Sequence, residues 1–145
     1  MAVPKVPKAV SKLFSEENRI SLYLEIEATL ADVQAEMGII PKEVVSEIAS
    51  AAQFQKIDVP KLRRDTELSG YPIAPLVRQV SDGCSEAAAG FVHWGATTQD
   101  IMDTALALQM RDAFEMIEVE LKSLIGSLIE LADRHRDSIM VGRTF

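Results

Sequence analysis

The chain has 145 residues, 48% hydrophobic and 26% charged, a balance that excludes wholesale disorder and allows one domain, or one domain and the start of another. Twenty-two acidic against fifteen basic side chains leave a net charge of -7, which repels phosphate backbones and speaks against a nucleic-acid partner. The single cysteine, Cys84, has no internal disulfide partner, and His93 and His135 lie too far apart for a zinc-ligand spacing. No uncharged apolar run is long enough for a membrane span, and the N-terminus lacks the apolar core of a signal peptide. The expectation is a soluble cytoplasmic protein without metal or cofactor.

All six prolines lie at or before Pro75, so the first half of the chain is the interrupted half. Pro4, Pro7 and the lysines around them predict a flexible tail over residues 1–13. Ser15 before Glu16 and Glu17 predicts an N-cap with acids in the first turn. Ile20, Leu24, Leu30 and Met37 mark the helix that follows, and Gly38 stops it by offering left-handed geometry. Pro41 opens a second helix, with Val44, Val45, Ile48 and Ala52 on one side. Asp58 and Pro60 predict a third, short helix. Pro72 and Pro75 open a fourth, which carries Leu76, Val77 and Val80 and ends at Gly83.

The last element is a long helix over 98–136, roughly 58 Å at 1.5 Å per residue. Met110, Phe114, Ile117, Leu121, Leu124, Leu128 and Leu131 follow a 4-3-4-3-4-3 spacing, the seam of a helix packed nearly parallel to others. Ile101, Met102, Ala105, Leu106 and Leu108 widen the apolar surface at its start. No stretch alternates with period two for long enough to be a strand. The fold class is therefore all-α: a domain of short helices over 14–97, then a bundle helix over 98–145. The upstream helices are too short to cover the seam, so it calls for more chain or more copies. A coiled-coil arm and one helix of a bundle shared between subunits both satisfy this. The bulky Phe114 and Met110, and flanks without ordered opposite charges, favour the bundle and a homo-oligomer built through the long helix.

The residues able to do chemistry sit where that helix begins. Thr97 and Thr98 stand at its first turn, and Asp100 follows Thr97 at capping-box spacing. A helix N-terminus offers unpaired N–H groups and a partial positive charge to a carboxylate or phosphate, and two hydroxyls add donors there. Gly95 allows close backbone approach, and His93 brings a group that gives or takes a proton near neutral pH. An ordinary threonine cap beside a buried histidine would carry the same residues.

The string His93-Trp-Gly-Ala-Thr-Thr-Gln-Asp-Ile-Met-Asp-Thr104 resembles the first signature block, H-x-G-x-T-[ST]-x-D-x-x-D-T, of the fumarase/aspartase superfamily. The likeness extends over nearly the whole chain, through Phe14-Ser-Glu-Glu-Asn-Arg-Ile20, Leu24-Glu-Ile-Glu-Ala28, Gly38-Ile-Ile-Pro-Lys42 and Gly142-Arg-Thr144. Adenylosuccinate lyases usually carry an Arg-His-Asp stretch before the fourth helix. This chain has Gly70-Tyr71-Pro72 and then Ile73-Ala-Pro-Leu-Val77, which is similar to 3-carboxy-cis,cis-muconate cycloisomerases. Gly95-Ala-Thr97 is similar to them too, as is the aromatic Phe145 where the lyases carry a histidine.

The resemblance implies an L-aspartase-like fold and the making or breaking of a C–O or C–N bond β to a carboxylate. A base removes the α proton, and donors must hold the resulting enediolate. It implies Thr97 and Thr98 as carboxylate contacts and His93 as the group that orients substrate or shuttles a proton. Arg143 is a further cationic contact or, equally, a structural link at a turn. The substrate would be a small polycarboxylate, handled by addition and β-elimination at C–O in the cycloisomerases and at C–N in adenylosuccinate lyase. The chain ends inside the family's second block, and the serine loop that supplies the base lies downstream. In the family each site is assembled from three subunits of a tetramer. The expectation is thus the N-terminal part of such an enzyme, inactive alone. A non-catalytic helical interaction module remains compatible with the same residues.

Overall fold

The computed structural model describes residues 8–142, which form helices joined by turns, with no strand among them. Helix α1 (Lys8–Leu13) lies in the stretch read from sequence as tail. It leads into α2 (Glu16–Glu36) through the expected cap: Ser15 Oγ accepts the Asn18 N–H at 3.2 Å, with Glu16 and Glu17 in the first turn. Asn18 fastens the junction by donating its side-chain amide to the Leu13 carbonyl at 2.8 Å. The helix ends where expected, at Gly38, whose φ of +73° is the left-handed geometry only glycine adopts freely.

A 3₁₀ turn at Lys42–Val44 precedes α3 (Val45–Ala51), and a second at Phe54–Lys56 precedes α4 (Val59–Ser69). Asp58 caps α4 by accepting the Lys61 N–H at 2.9 Å, while its own N–H donates to Gln79 on α5 (Ile73–Asp82). A four-residue helix, α6 (Glu86–Ala89), was not legible in the sequence; Ser85 caps it and also donates its hydroxyl to Glu47 of α3 at 2.9 Å. The core is built from Leu24 of α2, Ile48 of α3, Ile73, Leu76 and Val80 of α5, and Ile101 of α7 (Thr98–Arg134), each under 2% exposed.

The inward stripe of α2 differs in phase from the sequence reading. It runs Ile20, Tyr23, Leu24, Glu27, Ala31, Ala35, so a carboxylate sits in the middle of the core-facing side, whereas Met37 is 71% exposed. Alanines at 31 and 35 let neighbouring backbone approach, so that stripe reads as less apolar than it is buried.

Helix α7 is about 56 Å long at 1.5 Å per residue, and its surroundings change along it. Its first three turns close the core with Ile101 and Ala105, and the buried Gln109 donates its amide to the Leu13 carbonyl at 2.6 Å. Beyond Met116 every described residue is exposed. The seam predicted from sequence starts at Met110 and runs on into this bare part, its seven side chains between 45% and 61% exposed.

Candidate functional site

The turn between α6 and α7 is held by α2. Val92 is buried in the core, and Phe91 and Trp94 pack ring against ring at 5.7 Å. His93 between them takes φ +61°, a conformation that costs a non-glycine residue about 1–3 kcal/mol and that persists only where contacts over-determine it. Those contacts come from one side of α2. His93 Nδ1 lies 2.6 Å from Glu27 Oε1, and Gln34, two turns further along, donates its amide to the Trp94 carbonyl at 2.8 Å. Gly95 then turns the chain with φ +70°. The close backbone approach expected at Gly95 is not made by the described chain, since a Cβ there would meet nothing within 4 Å; its glycine is explained by the positive φ.

Glu27 is 2% exposed, and its second oxygen, Oε2, has no hydrogen-bond partner among the described residues. Burial pushes its carboxyl above the usual carboxylate range, and the neighbouring His93 opposes that rise. The His93 side chain is 18% exposed. Its Nε2 makes no hydrogen bond among the described residues and is not sealed in the core.

The two threonines separate in role at the start of α7. The N–H and hydroxyl of Thr97 both donate to Asp100 Oδ2, at 2.8 and 2.9 Å, so Thr97 is engaged in forming the helix start. The half-buried Thr98 hydroxyl makes no hydrogen bond among the described residues. The structure thus brings His93, Thr97 and Thr98 to one turn and the helix it feeds. Arg143 lies outside the described residues.

The Asp100 carboxyl is held below the usual range, first by the Thr97 N–H and then by its hydroxyl. A carboxyl with a lowered native pKa stabilises the fold above its unfolded value of about 3.9, and the contribution is lost as pH falls through the native value. Asp100→Asn is expected to lower the denaturation midpoint at neutral pH. The gap to wild type should then close as the pH is lowered below the ordinary carboxylate range, as urea titrations at several pH values would read.

Sequence reasoning missed Glu27 and Gln34. The available signal was register: both fall on the 3-4 spacing that carries Ile20, Leu24 and Ala31 inward, where an acid or amide signals a buried polar partner.

An all-α chain whose long helix opens on this His-Gly-Thr-Thr-Asp turn is of the fumarase/aspartase class. A family profile described as "Lyase" matches residues 2–145, and the chain belongs to that family. It is 43% identical over 133 residues to trans-aconitate decarboxylase 1 of Mycosarcoma maydis, covering 92% of this chain and 27% of that protein. To the adenylosuccinate lyase of Methanocaldococcus jannaschii it is 35% identical, covering 92% of this chain and 29% of the relative. The crystal structure of β-carboxy-cis,cis-muconate cycloisomerase from Acinetobacter calcoaceticus superposes with a TM-score of 0.89 at 36% identity, covering 96% of this chain and 33% of that one. The chain therefore spans about a third or less of the length of these relatives. No described helix is long and apolar enough to cross a membrane.

Proposed function

We propose that this chain is the N-terminal part of a 3-carboxy-cis,cis-muconate cycloisomerase-like enzyme, which makes and breaks a C–O bond β to a carboxylate of a small polycarboxylate. The observation that carries the reading is the pairing of an uncommitted Thr98 hydroxyl at the N-terminus of α7 with a histidine fixed on the turn before it. Similarity to a cycloisomerase and to a trans-aconitate decarboxylase supports a substrate with several carboxylates. Gly70-Tyr71-Pro72, standing where adenylosuccinate lyases usually carry Arg-His-Asp, favours this branch over C–N cleavage.

In this reading the substrate carboxylate sits against the first turn of α7. Loss of the α proton, taken by a base on a downstream segment, converts that carboxylate to an enediolate with a second negative charge. The Thr98 hydroxyl and the free N–H groups of the turn are donors fixed in place before the charge appears. Thr97, with both its donors tied to Asp100, shapes the turn; it would reach the substrate carboxylate only by turning its hydroxyl away from Asp100. His93 orients the substrate or moves a proton, and Arg143 adds a cation.

The test is made in the full-length enzyme. Thr98→Val should lower kcat on the order of a hundredfold, as loss of a donor to a developing oxyanion does, with a small change in melting temperature. A Thr98 hydroxyl that touches no substrate leaves turnover intact when it is replaced, whatever the melting temperature does, and that result would overturn the proposal. Turnover assays with carboxymuconate, trans-aconitate and adenylosuccinate decide the branch; activity on adenylosuccinate alone would replace the cycloisomerase reading with the lyase.

A further inference from the structure

We infer that Glu27 is a positioning residue: its buried carboxylate accepts the Nδ1–H of His93, fixing the ring so that Nε2, unprotonated, is the only ring atom that meets a ligand. Three observations carry this. The 2.6 Å contact joins a carboxylate on α2 to a ring nitrogen 66 residues further along the chain. The carboxylate is almost fully buried, its other oxygen is unpartnered, and no other described group competes for Nδ1. The ring stands on a residue at φ +61°, and the adjoining Trp94 carbonyl is tied to the same helix by Gln34, so the backbone is held as well as the ring.

Two arrangements of the shared proton fit a contact of this length. In one, imidazole keeps it on Nδ1 and Glu27 is ionised; in the other, Glu27 is protonated and donates to Nδ1, which leaves Nε2 carrying the hydrogen. Ordinary imidazole outcompetes an ordinary carboxylate for a proton by about two pK units, and a charge-assisted N–H···O⁻ bond rewards that order. Burial of Glu27 works the other way and keeps its carboxyl above the usual range although the ring opposes it; what sets the order is therefore the ring's greater basicity and the short charge-assisted bond. The other charge coupled to this ring is Asp100 on α7, whose own carboxyl the ring helps to hold low.

The chemical consequence belongs to the function proposed above, since His93 meets a substrate only under that reading. A proton leaving a substrate group bonds to the Nε2 lone pair, while its former bonding electrons stay on the substrate. The resulting imidazolium keeps its Nδ1–H on Glu27, whose negative charge offsets the new positive one. Return of the proton breaks the same N–H bond. The ring does not rotate in either direction.

The tautomer is measured on this chain directly, with ¹⁵N-histidine labelling and long-range ¹H–¹⁵N correlation at about pH 9, above the ordinary imidazole range near 6.5. His93 is expected to show hydrogen on Nδ1 and a bare Nε2. His135, exposed beside Ser138, supplies the second ring in the spectrum and should not respond to changes at position 27. Glu27→Met removes the acceptor without placing another polar group in the core, and His93 should then shift to hydrogen mainly on Nε2, the usual preference of a free imidazole. Hydrogen on Nε2 in the wild type overturns the inference, as does a tautomer unchanged by Glu27→Met. If that variant does not fold, the wild-type spectrum alone decides. A wrong tautomer together with a Thr98→Val enzyme that loses turnover removes only this inference. The right tautomer with a Thr98→Val enzyme that keeps turnover removes the function and leaves the positioning intact.

Discussion

Sedimentation of the purified chain should show concentration-dependent association. From Met110 onward α7 presents Met110, Phe114, Ile117, Leu121, Leu124, Leu128 and Leu131 along one seam, each roughly half exposed. Full burial of such a side chain contributes about 1.5–3 kcal/mol. With half of each already covered by its own helix, burying the rest gives about 5–10 kcal/mol. A cost of at least about 4 kcal/mol for lost translational and rotational freedom opposes this, which leaves weak, reversible self-association as the expected state. Leu121→Glu with Leu128→Glu should return the chain to a monomer, by placing charges in the middle of the seam, without disturbing the core around Leu24 and Ile48. A wild-type chain that sediments as one monomeric species at all concentrations would mean the seam is satisfied in some other way.

Under the proposed function, the chain alone should show no turnover of carboxymuconate, trans-aconitate or adenylosuccinate. The turn before α7 can hold a carboxylate and its developing charge, but the base that takes the α proton belongs to a segment downstream of Phe145 in the family. Loss of a general base typically costs 10²–10⁴-fold, and the chain spans a third or less of the length of its relatives. Adding the remainder of the enzyme as a separate polypeptide should restore activity if the two parts assemble. Measurable turnover by the chain alone, free of host enzyme, would refute the assignment of the base.

The parts of the fold that were legible in the sequence are those set by local chemistry. Ser15 with two following acids, Gly38, Asp58 before Pro60, and Gly83 each act on the backbone within a turn of themselves, and the helices begin or end where these residues stand. The seam of α7 was legible because seven large side chains repeat without interruption. The short α1 and α6 were not, since a helix of four to six residues has no room for a period and depends on what it packs against. Register in α2 failed for a related reason. Leu30 and Met37 are larger than Ala31 and Ala35, yet it is the small residues that face inward, where other helices come close. For the same reason Glu27, buried on that same inward stripe, was not singled out. His93, Thr97 and Thr98 were found by their motif, but the difference between the two hydroxyls depends on where the Asp100 side chain goes.

Two ties from α2 to the turn have a mechanical meaning. Glu27 and Gln34 are seven residues apart, about 10 Å along the helix axis, and they grip a side chain and a main-chain carbonyl of adjacent residues. A single tether would leave the histidine free to swivel about its anchor; the second removes that rotation. The aim of the ring is therefore inherited from a rod of 21 residues rather than from the turn itself. Substitutions that tilt or shift α2, even at its far side, should misdirect His93 before they unfold anything.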